Sequence, residues 1–227
     1  MRILGIESSA KAASVCMWDD GKILCETFSN NGLTHSKTVL SMIQDMMRQS
    51  DISIDSIDKI AISAGPGSFT GLRIGAAVVQ GLSWSKDIPC VGVSTLEAMV
   101  QNVRGFDGLL CPVMDARAGQ VYQASFKWQD GEIVRVCDDR AITIADLDTE
   151  IKNEERVVLL GDGAELCYKN LTHTNLCLTY ENVRYPRAWG VCEVAKDKEG
   201  SHAYELKLEY LRKPQAERER LARLNKE

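Results

Sequence analysis

The feature of this sequence that most limits its possible folds is an internal repeat of about 110 residues. Each copy begins with an apolar run that ends at an acid, Glu7 in the first copy and Asp115 in the second, 108 positions later. Two further runs joined by an Asp-Gly turn follow in each copy, and the turn glycines, Gly21 and Gly131, are 110 positions apart. Because Asp-Gly between alternating runs is a strong hairpin signal, each copy predicts a strand followed by a β-hairpin. A repeated unit of this size indicates two similar domains that face each other.

Hydrophobic periodicity predicts the order β-β-β-α-β-α-β-α in the first copy. The strands are expected over 2–8, 13–18, 22–28, 59–63 and 89–93, and the helices over 34–47, 71–85 and 95–103. Helices that connect parallel strands predict a mixed sheet with helices on its faces. The sequence thus favours an α/β protein with two tandem domains, 1–105 and 106–213, and a charged tail, 214–227.

The second copy repeats this pattern less clearly than the first. Strands are expected over 110–115, 120–128, 132–137 and 156–160, with helices near 144–152 and after Gly161. Between residues 172 and 187 the periodicity is too weak to assign any element. Alternating leucines and tyrosine over 205–212 predict a late strand, which Pro214 would end.

A glycine-rich break separates the strand over 59–63 from the helix that follows it. Neither a strand nor a helix can continue through Gly65-Pro66-Gly67, and Ser68 or Thr70 can cap the next helix. A glycine turn at a helix N-terminus suits a phosphate group, because backbone N–H groups and the helix dipole both favour negative charge. The spacing matches neither GxGxxG nor GxxxxGK[ST]. The alternative is that the glycines serve only the close packing of the strand on the helix.

Composition excludes several classes of protein. A net charge of -5 and a pI near 5.4 argue against a protein that grips nucleic acid with its own surface. No apolar run approaches the roughly 18 residues of a membrane span, and Glu7 comes too early for a signal peptide. The eight cysteines include no CxxC pair, so reduced thiols in a cytoplasmic protein are expected.

Two predicted helices carry more apolar surface than one core needs. The apolar residues of 34–47 cover an arc of about 160°, and those of 71–85 lie all around the helix axis. Met-rich faces usually belong to a core, but the extra width indicates that one flank meets another protein. The residues predicted to face a partner are Val39, Met42, Ile43, Met46, Ile74, Val78 and Leu82.

The duplicated β-β-β-α-β-α order with an acid after each first strand resembles the acetate kinase/sugar kinase/Hsp70/actin (ASKHA) superfamily, whose domains are RNase H-like. In that superfamily the cleft between the two domains holds a nucleotide. More narrowly, residues 64–75, Ala-Gly-Pro-Gly-Ser-Phe-Thr-Gly-Leu-Arg-Ile-Gly, resemble the signature of the bacterial TsaB (YeaZ) family. Three more stretches are similar to that family: Asp115-Ala116-Arg117 with Val121-Tyr122, Gly161-Asp162-Gly163, and Tyr210-Leu211-Arg212.

The resemblance implies a role in making N6-threonylcarbamoyladenosine at adenosine 37 of tRNAs that read codons beginning with A. Its catalytic sister family, TsaD, carries His-x-x-x-His as metal ligands after the equivalent glycine turn. Here the positions that would hold those histidines are Thr95 and Met99, which cannot ligate such a metal. His35, His173 and His202 have no spacing that replaces them. We therefore expect no catalytic residue and no metal site.

The resemblance also indicates a residual phosphate or nucleotide site. Its residues would be Glu7, Ser8, Ser9, Gly65, Gly67, Ser68 and Asp115. Two carboxylates across a cleft can hold magnesium on a nucleotide. The alternative is that each acid only caps the turn after its strand. No cofactor is expected to be required by this chain, although ATP or ADP with magnesium is possible in a complex.

Two hypotheses follow from the sequence. In the first, the chain is a non-catalytic subunit that docks on TsaD, forms a homodimer in isolation, and meets tRNA only through partners that include the ATPase TsaE. In the second, it is a small ASKHA kinase or ATPase that uses Glu7, Asp115 and the loop 65–71. The second rests on fold analogy alone, and fold does not fix chemistry.

Overall fold

A computed structural model describes residues 1–84 and 86–212 of the chain. The predicted tail, 214–227, lies outside the described residues. The described chain forms two five-stranded mixed sheets with helices against them. We call each sheet, with the helices that follow its strands in sequence, a lobe.

The first lobe contains residues from the first copy of the repeat. Its strands are β1 (Arg2–Glu7), β2 (Ala13–Asp19), β3 (Lys22–Ser29), β4 (Lys59–Gly65) and β5 (Cys90–Ser94). Its helices are α1 (His35–Ser50), α2 (Phe69–Ser83) and α3 (Thr95–Val100). The spatial order is β3-β2-β1-β4-β5, with β1 antiparallel to β2 and parallel to β4.

The second lobe repeats this topology. Its strands are β6 (Leu109–Arg117), β7 (Gln120–Gln129), β8 (Glu132–Thr143), β9 (Val157–Leu160) and β10 (Leu176–Leu178). Its helices are α4 (Ile144–Glu150), α5 (Ala164–Asn170), α6 (Glu181–Arg184) and α7 (Ala188–Ala195). The order β8-β7-β6-β9-β10 is the order of the first sheet, strand for strand. The predicted α/β fold with two mixed sheets is confirmed.

The two Asp-Gly turns have the same conformation in both copies. Asp20 and Gly21 have φ of 45° and 86°, and Asp130 and Gly131 have φ of 51° and 87°. Two consecutive residues with positive φ form the type I′ turn that matches the twist of a two-residue hairpin. The hairpins predicted from these dipeptides are confirmed.

The last helix of each lobe covers the sheet of the other lobe. In α3, Leu96 and Met99 are fully buried in a core cluster that includes Leu110 and Phe126 of the second sheet. Helix α7 packs in return on a face of the first sheet. The two helices touch each other directly, and a Cβ at Gly190 would lie 2.2 Å from the carbonyl oxygen of Ala98. Each sheet therefore needs a helix from the other half of the repeat to close its core.

Side chains of the first sheet hold α7 at both ends. Ser14 Oγ and Glu26 Oε1 accept hydrogen bonds of 3.1 and 3.2 Å from the first two N–H groups of the helix. Lys59 Nζ donates to three carbonyl oxygens at the other end and just beyond it, at 2.5 to 3.3 Å. These groups satisfy backbone atoms that the ends of a helix leave without partners. The eight-residue helix is thereby fixed on a sheet far from it in sequence.

The second half departs from the sequence predictions in three places. The predicted strand over 205–212 is wrong, because Glu205 ends a short helical turn, Ala203–Glu205, and residues 206–212 lie outside both sheets. Strand β10 and helices α6 and α7 lie in or next to the region without periodicity. The strands of the two sheets fall on either side of the predicted boundary at 105, but residues 188–209 return to the first sheet, where Ser201 bridges to Cys90. The range 106–213 thus contains residues that pack on both sheets.

We expect Gly190→Ala to lower the free energy of unfolding by about 1–3 kcal/mol, because the new methyl group overpacks the crossing of α3 and α7. Gly81→Ala in α2 is the matched control, since nothing lies within 4 Å of the added Cβ. There, the higher helix propensity of alanine is expected to raise that free energy by up to about 1 kcal/mol. Urea denaturation at one low protein concentration measures both, and shifts of the same sign would contradict the close crossing.

Candidate functional site

A cleft of about 860 Å³ lies between the two lobes, and we call it the interlobe cleft. Its lining comes from the loop after β1, the segment from the end of β3 to the start of α1, the N-terminal turn of α2, the turn between β6 and β7, and the turn after β9. The ionisable side chains among the lining residues are Lys11, His35, Asp115, Arg117 and Asp162. The cleft thus brings two carboxylates of the second copy of the repeat together with one lysine of the first copy and one arginine of the second.

The first turn of α2 forms one wall of the interlobe cleft. The helix begins at Phe69, two residues before the predicted start, and Ser68 Oγ accepts a 3.3 Å hydrogen bond from the N–H of Gly71. Ser68 is therefore one of the two predicted caps and the one observed. Its own N–H donates to the carbonyl oxygen of Ser9 at 2.7 Å, which joins α2 to the loop after β1.

The glycines of this stretch allow α2 to lie directly against the loop after β1. A Cβ at Gly67 would lie 2.5 Å from the carbonyl oxygen of Ser9, and one at Gly71 would lie 2.0 Å from that of Ser8. Gly75, one turn further on, would meet the hydroxyl of Ser8 at 2.4 Å. Close packing, the second of the two interpretations given above, accounts for all three glycines. Binding of a phosphate at this turn stays a prediction.

Glu7 does not present its carboxylate to the cleft. It is fully buried, as are Ser8 and Ser9. Its carboxylate accepts hydrogen bonds from the N–H of Ser9 at 2.6 Å and from the hydroxyls of Ser9 and Ser63. Burial raises the pKa of Glu7, although these hydrogen bonds oppose the change. The prediction that Glu7 and Asp115 form a pair across the cleft therefore needs correction.

The carboxylate beside Asp115 is instead Asp162, which the sequence reasoning did not select. Asp162 Oδ1 accepts a 3.3 Å hydrogen bond from the N–H of Asp115. Burial raises the pKa of Asp162, the hydrogen bond from the N–H of Asp115 and the charge of Lys11 oppose this change, and the charge of the Asp115 carboxylate adds to it. The signal that could have found Asp162 is its place directly after β9, the counterpart of β4 in the repeat.

The positions where the sister family has metal ligands are occupied by packing. Thr95 and Met99 are both fully buried in α3. Met99 Sδ lies 3.0 Å from where a Cβ on Gly161 would be, so it fills the space between α3 and the turn after β9. His35 Nε2 is 2.7 Å from the carbonyl oxygen of Ala10. Within residues 1–84 and 86–212, no three His, Cys, Asp or Glu side chains form a group that could hold a metal.

The prediction of a partner-facing surface also needs correction. Val39, Met42, Ile43 and Met46 are all less than a tenth exposed, because α1 packs on the first sheet and on α2 at once. This double contact explains the wide apolar arc. Of the seven predicted residues, only Ile74, Val78 and Leu82 are half-buried, and all three belong to α2.

The apolar surface of these helices that is open to solvent keeps Ile74 and Val78 of the predicted set and adds other residues. Leu40 is 44% exposed on α1, Leu33 just before it is 56% exposed, and Trp84 just after α2 is 90% exposed. Ala77 and Gly81 are exposed on α2. With Ile74 and Val78, they follow the spacing of one helix face. We call the following residues the α1–α2 face: Leu33, Leu40, Ile74, Ala77, Val78, Gly81 and Trp84.

Among the described helices, none is both long enough and apolar enough to cross a bilayer.

Comparisons with known proteins agree over most of the chain. The family model described as tRNA N6-adenosine threonylcarbamoyltransferase, TsaD, matches residues 27–221. The tRNA threonylcarbamoyladenosine biosynthesis protein TsaB of Bacillus subtilis is 31% identical over 221 residues, 96% of each chain. TsaB of Escherichia coli is 35% identical over 164 residues, 71% of this chain and 69% of the relative. The solved structure of YeaZ from Pseudomonas aeruginosa has a TM-score of 0.78 at 22% identity, covers 92% of this chain and 99% of its own, and shares the fold.

Stability should depend on pH through Glu7. Because the folded-state pKa is raised, the contribution of Glu7 is full below its ordinary pKa of 4.5 and is lost as the pH rises through the folded-state value. Glu7→Gln cannot ionise, so its free energy of unfolding should improve relative to the native chain as the pH rises from about 4.5 to about 8. Urea denaturation across this range measures the difference. Glu132→Gln, at an exposed position, is the control, and parallel pH profiles for the native chain and Glu7→Gln would contradict the role of burial.

Proposed function

Because the chain belongs to the TsaB (YeaZ) family, we propose that it is a non-catalytic subunit of the machinery that adds a threonylcarbamoyl group to an adenosine of tRNA. The resemblance to this family found in the sequence is confirmed by the relatives. The match to the TsaD family model supports kinship with the transferase itself. The proposed subunit differs from the transferase at the positions of the metal ligands, where this chain has Thr95 and Met99.

The observation that carries the non-catalytic role is the burial of Thr95 and Met99. Both side chains are fully enclosed, and Met99 packs against the second lobe. A threonine hydroxyl and a thioether are poor ligands for the metals that activate such transfers, and neither is open to the interlobe cleft. Rebuilding the metal site would require emptying part of the core, which supports a role in assembly.

The partner surface in this proposal is the α1–α2 face, and its partner is TsaD. Exposed apolar residues at helical spacing are a common basis for helix-to-helix association. Ala77 and Gly81 allow close approach, and Trp84 at the rim is the type of side chain that contributes most at interfaces. A second copy of this chain would cover the same face in the absence of TsaD, as a two-fold homodimer.

Further partners follow from the same role. The chain would act in the cytoplasm and meet tRNA only through its partners, since its net charge of -5 opposes direct binding. TsaE would supply ATP hydrolysis in the complex. No cofactor is required by this chain itself, and ATP or ADP with magnesium would be held only in the assembly.

A second candidate function, a small ASKHA kinase or ATPase, is favoured by one observation. The interlobe cleft holds Asp115, Asp162 and Lys11, groups that could meet magnesium and phosphate. Calorimetry of the isolated chain with ATP and magnesium separates the two functions. We expect neither saturable binding below about 1 mM nor hydrolysis. Tight binding with turnover would favour the kinase or ATPase.

We expect Leu40→Glu and Ala77→Glu to weaken binding to TsaD at least tenfold, about 1.4 kcal/mol, because each buries a carboxylate in an apolar contact. Both positions are exposed, so the folded state should tolerate the change. Titration calorimetry with TsaD from the same organism gives the affinity, and sedimentation velocity gives the oligomeric state of the chain alone.

Leu166→Glu is the matched control for this experiment, since Leu166 is 38% exposed on α5 of the second lobe. It should bind TsaD as the native chain does. Unchanged affinity for both α1–α2 variants would place the docking surface elsewhere. A loss with the control as well would show a general effect of added charge.

A further inference from the structure

An extended segment, residues 206–212, runs from the first lobe to the second, and we call it the strap. At its start, Leu206 packs against the core that covers β1, β2 and β4. Near its end, Leu211 packs against the core of the second lobe, which includes Met114 and Tyr122. One short segment therefore places a leucine on each of the two cores. Because the segment is not a strand of the first sheet, it can cross from the first lobe to the second.

The strap lies in a groove of the first lobe, and the bottom of this groove is formed by two glycines, Gly65 and Gly92. The N–H of Glu209 donates to the carbonyl oxygen of Ala64 at 2.8 Å. A Cβ at Gly65 would lie 2.3 Å from the carbonyl oxygen of Glu209, and one at Gly92 would lie 3.2 Å from the side chain of Leu206. Gly65 also has φ of 131°, a conformation that other residues rarely adopt. The strap therefore lies closer to the sheet than any side chain at these positions would allow.

Tyr210 fixes the middle of the strap on the first turn of α2. Its ring stacks on Phe69 with centroids 4.5 Å apart and planes 7° from parallel. Arg73 lies 5.8 and 5.7 Å from the two ring centroids, and its Nε donates to the hydroxyl of Tyr210 at 3.3 Å. These contacts bind the strap to one wall of the interlobe cleft.

Arg212 fixes the end of the strap on the opposite wall. Its guanidinium donates to the carbonyl oxygens of Ala116 and Arg117, the latter at 3.0 Å, where β6 turns into β7. Arg117 and Ala118 have φ of 68° and 55°, which is uncommon for residues other than glycine. The turn between β6 and β7, which lines the interlobe cleft in the second lobe, is thus held by Arg212 of the strap.

We propose that the strap is an interlobe clasp, which holds the two walls of the interlobe cleft at one fixed angle. A rotation that opened the cleft would have to break the Tyr210 stack or the Arg212 hydrogen bonds. A further contact lies on the other side of the strap, where Arg135 of β8 donates a 3.2 Å hydrogen bond to Glu97 of α3. This contact supports the same angle between the lobes. The clasp does not depend on the proposed partner, and it gives a function to the Tyr210-Leu211-Arg212 stretch.

The lobe angle can be measured by electron spin resonance between two labels. Ketone-bearing residues introduced at exposed positions 49 of α1 and 169 of α5 take spin labels without touching the native cysteines. The otherwise native chain should give one narrow distance distribution. The double variant Tyr210→Ala/Arg212→Ala should at least double its width, because the strap no longer fixes either wall of the cleft through these side chains. A width equal to that of the native strap would overturn the proposal.

Tyr204→Ala is the matched control, because Tyr204 also stacks on a ring, that of His202, but lies before the strap and is 77% exposed. Its distribution should stay narrow, and broadening equal to that of the double variant would count against a specific clasp. If the double variant does not unfold cooperatively, Arg212→Gln is measured alone. This variant removes only the contact with the β6–β7 turn, and an unchanged width there also overturns the proposal.

Hydrogen exchange of the native chain provides a test without substitutions. The amide of Glu209 should be protected from exchange at least a hundredfold relative to an unstructured amide, as the amide of Ser68 in the cleft wall should be. Exchange of Glu209 at the unstructured rate, with Ser68 protected, would show that the strap is not held in place.

Discussion

The structure depends on the burial of two sheet faces that neither half of the chain can cover by itself. Helix α3 leaves the first lobe to pack on the second sheet, and α7 returns from the second lobe to the first. The exchange needs backbone contact between the helices, which Gly190 permits against Ala98. Since burial of apolar area dominates folding free energy, we expect the two lobes to unfold as one cooperative unit despite their separate sheets. The position of each wall of the interlobe cleft follows from this arrangement.

Close packing also explains where the predicted site residues lie relative to the interlobe cleft. Glu7 is turned inward to three serine donors, and the glycines after β4 bring α2 against the loop that carries Ser8 and Ser9. Met99 fills the space next to Gly161. Thr95, like Met99, is fully buried, so both positions compared above with metal ligands belong to the core. This packing is the basis on which we propose a non-catalytic role for a member of the TsaB family.

The sequence predicted those parts of the fold that local signals specify. Both Asp-Gly hairpins and the cap at Ser68 depend on residues a few positions apart, and the repeat was found because such local signals recur about 110 positions later. It could not predict α7, whose anchors include Lys59, 136 positions before Ala195. Periodicity gave the width of the apolar face of α1 but not what covers it, so Met42 and Met46 were assigned to a partner when their own sheet covers them. Asp162 was missed because its place after β9 was not compared with that of the loop after β4, and its contact with Asp115 forms only in the folded chain.

The anchoring of α7 on the first sheet also has a consequence for synthesis on the ribosome. The last strand of that sheet ends at Ser94, whereas the helix that seals its far side ends at Ala195. About 100 further residues must be translated before α7 can cover this face of the sheet, which at roughly 5–20 residues per second takes on the order of 5–20 s. During that interval Ile3, Cys16 and Trp18 of the nascent chain lack their final cover. We therefore expect chaperones to bind the exposed apolar surface of the nascent chain until translation is nearly complete.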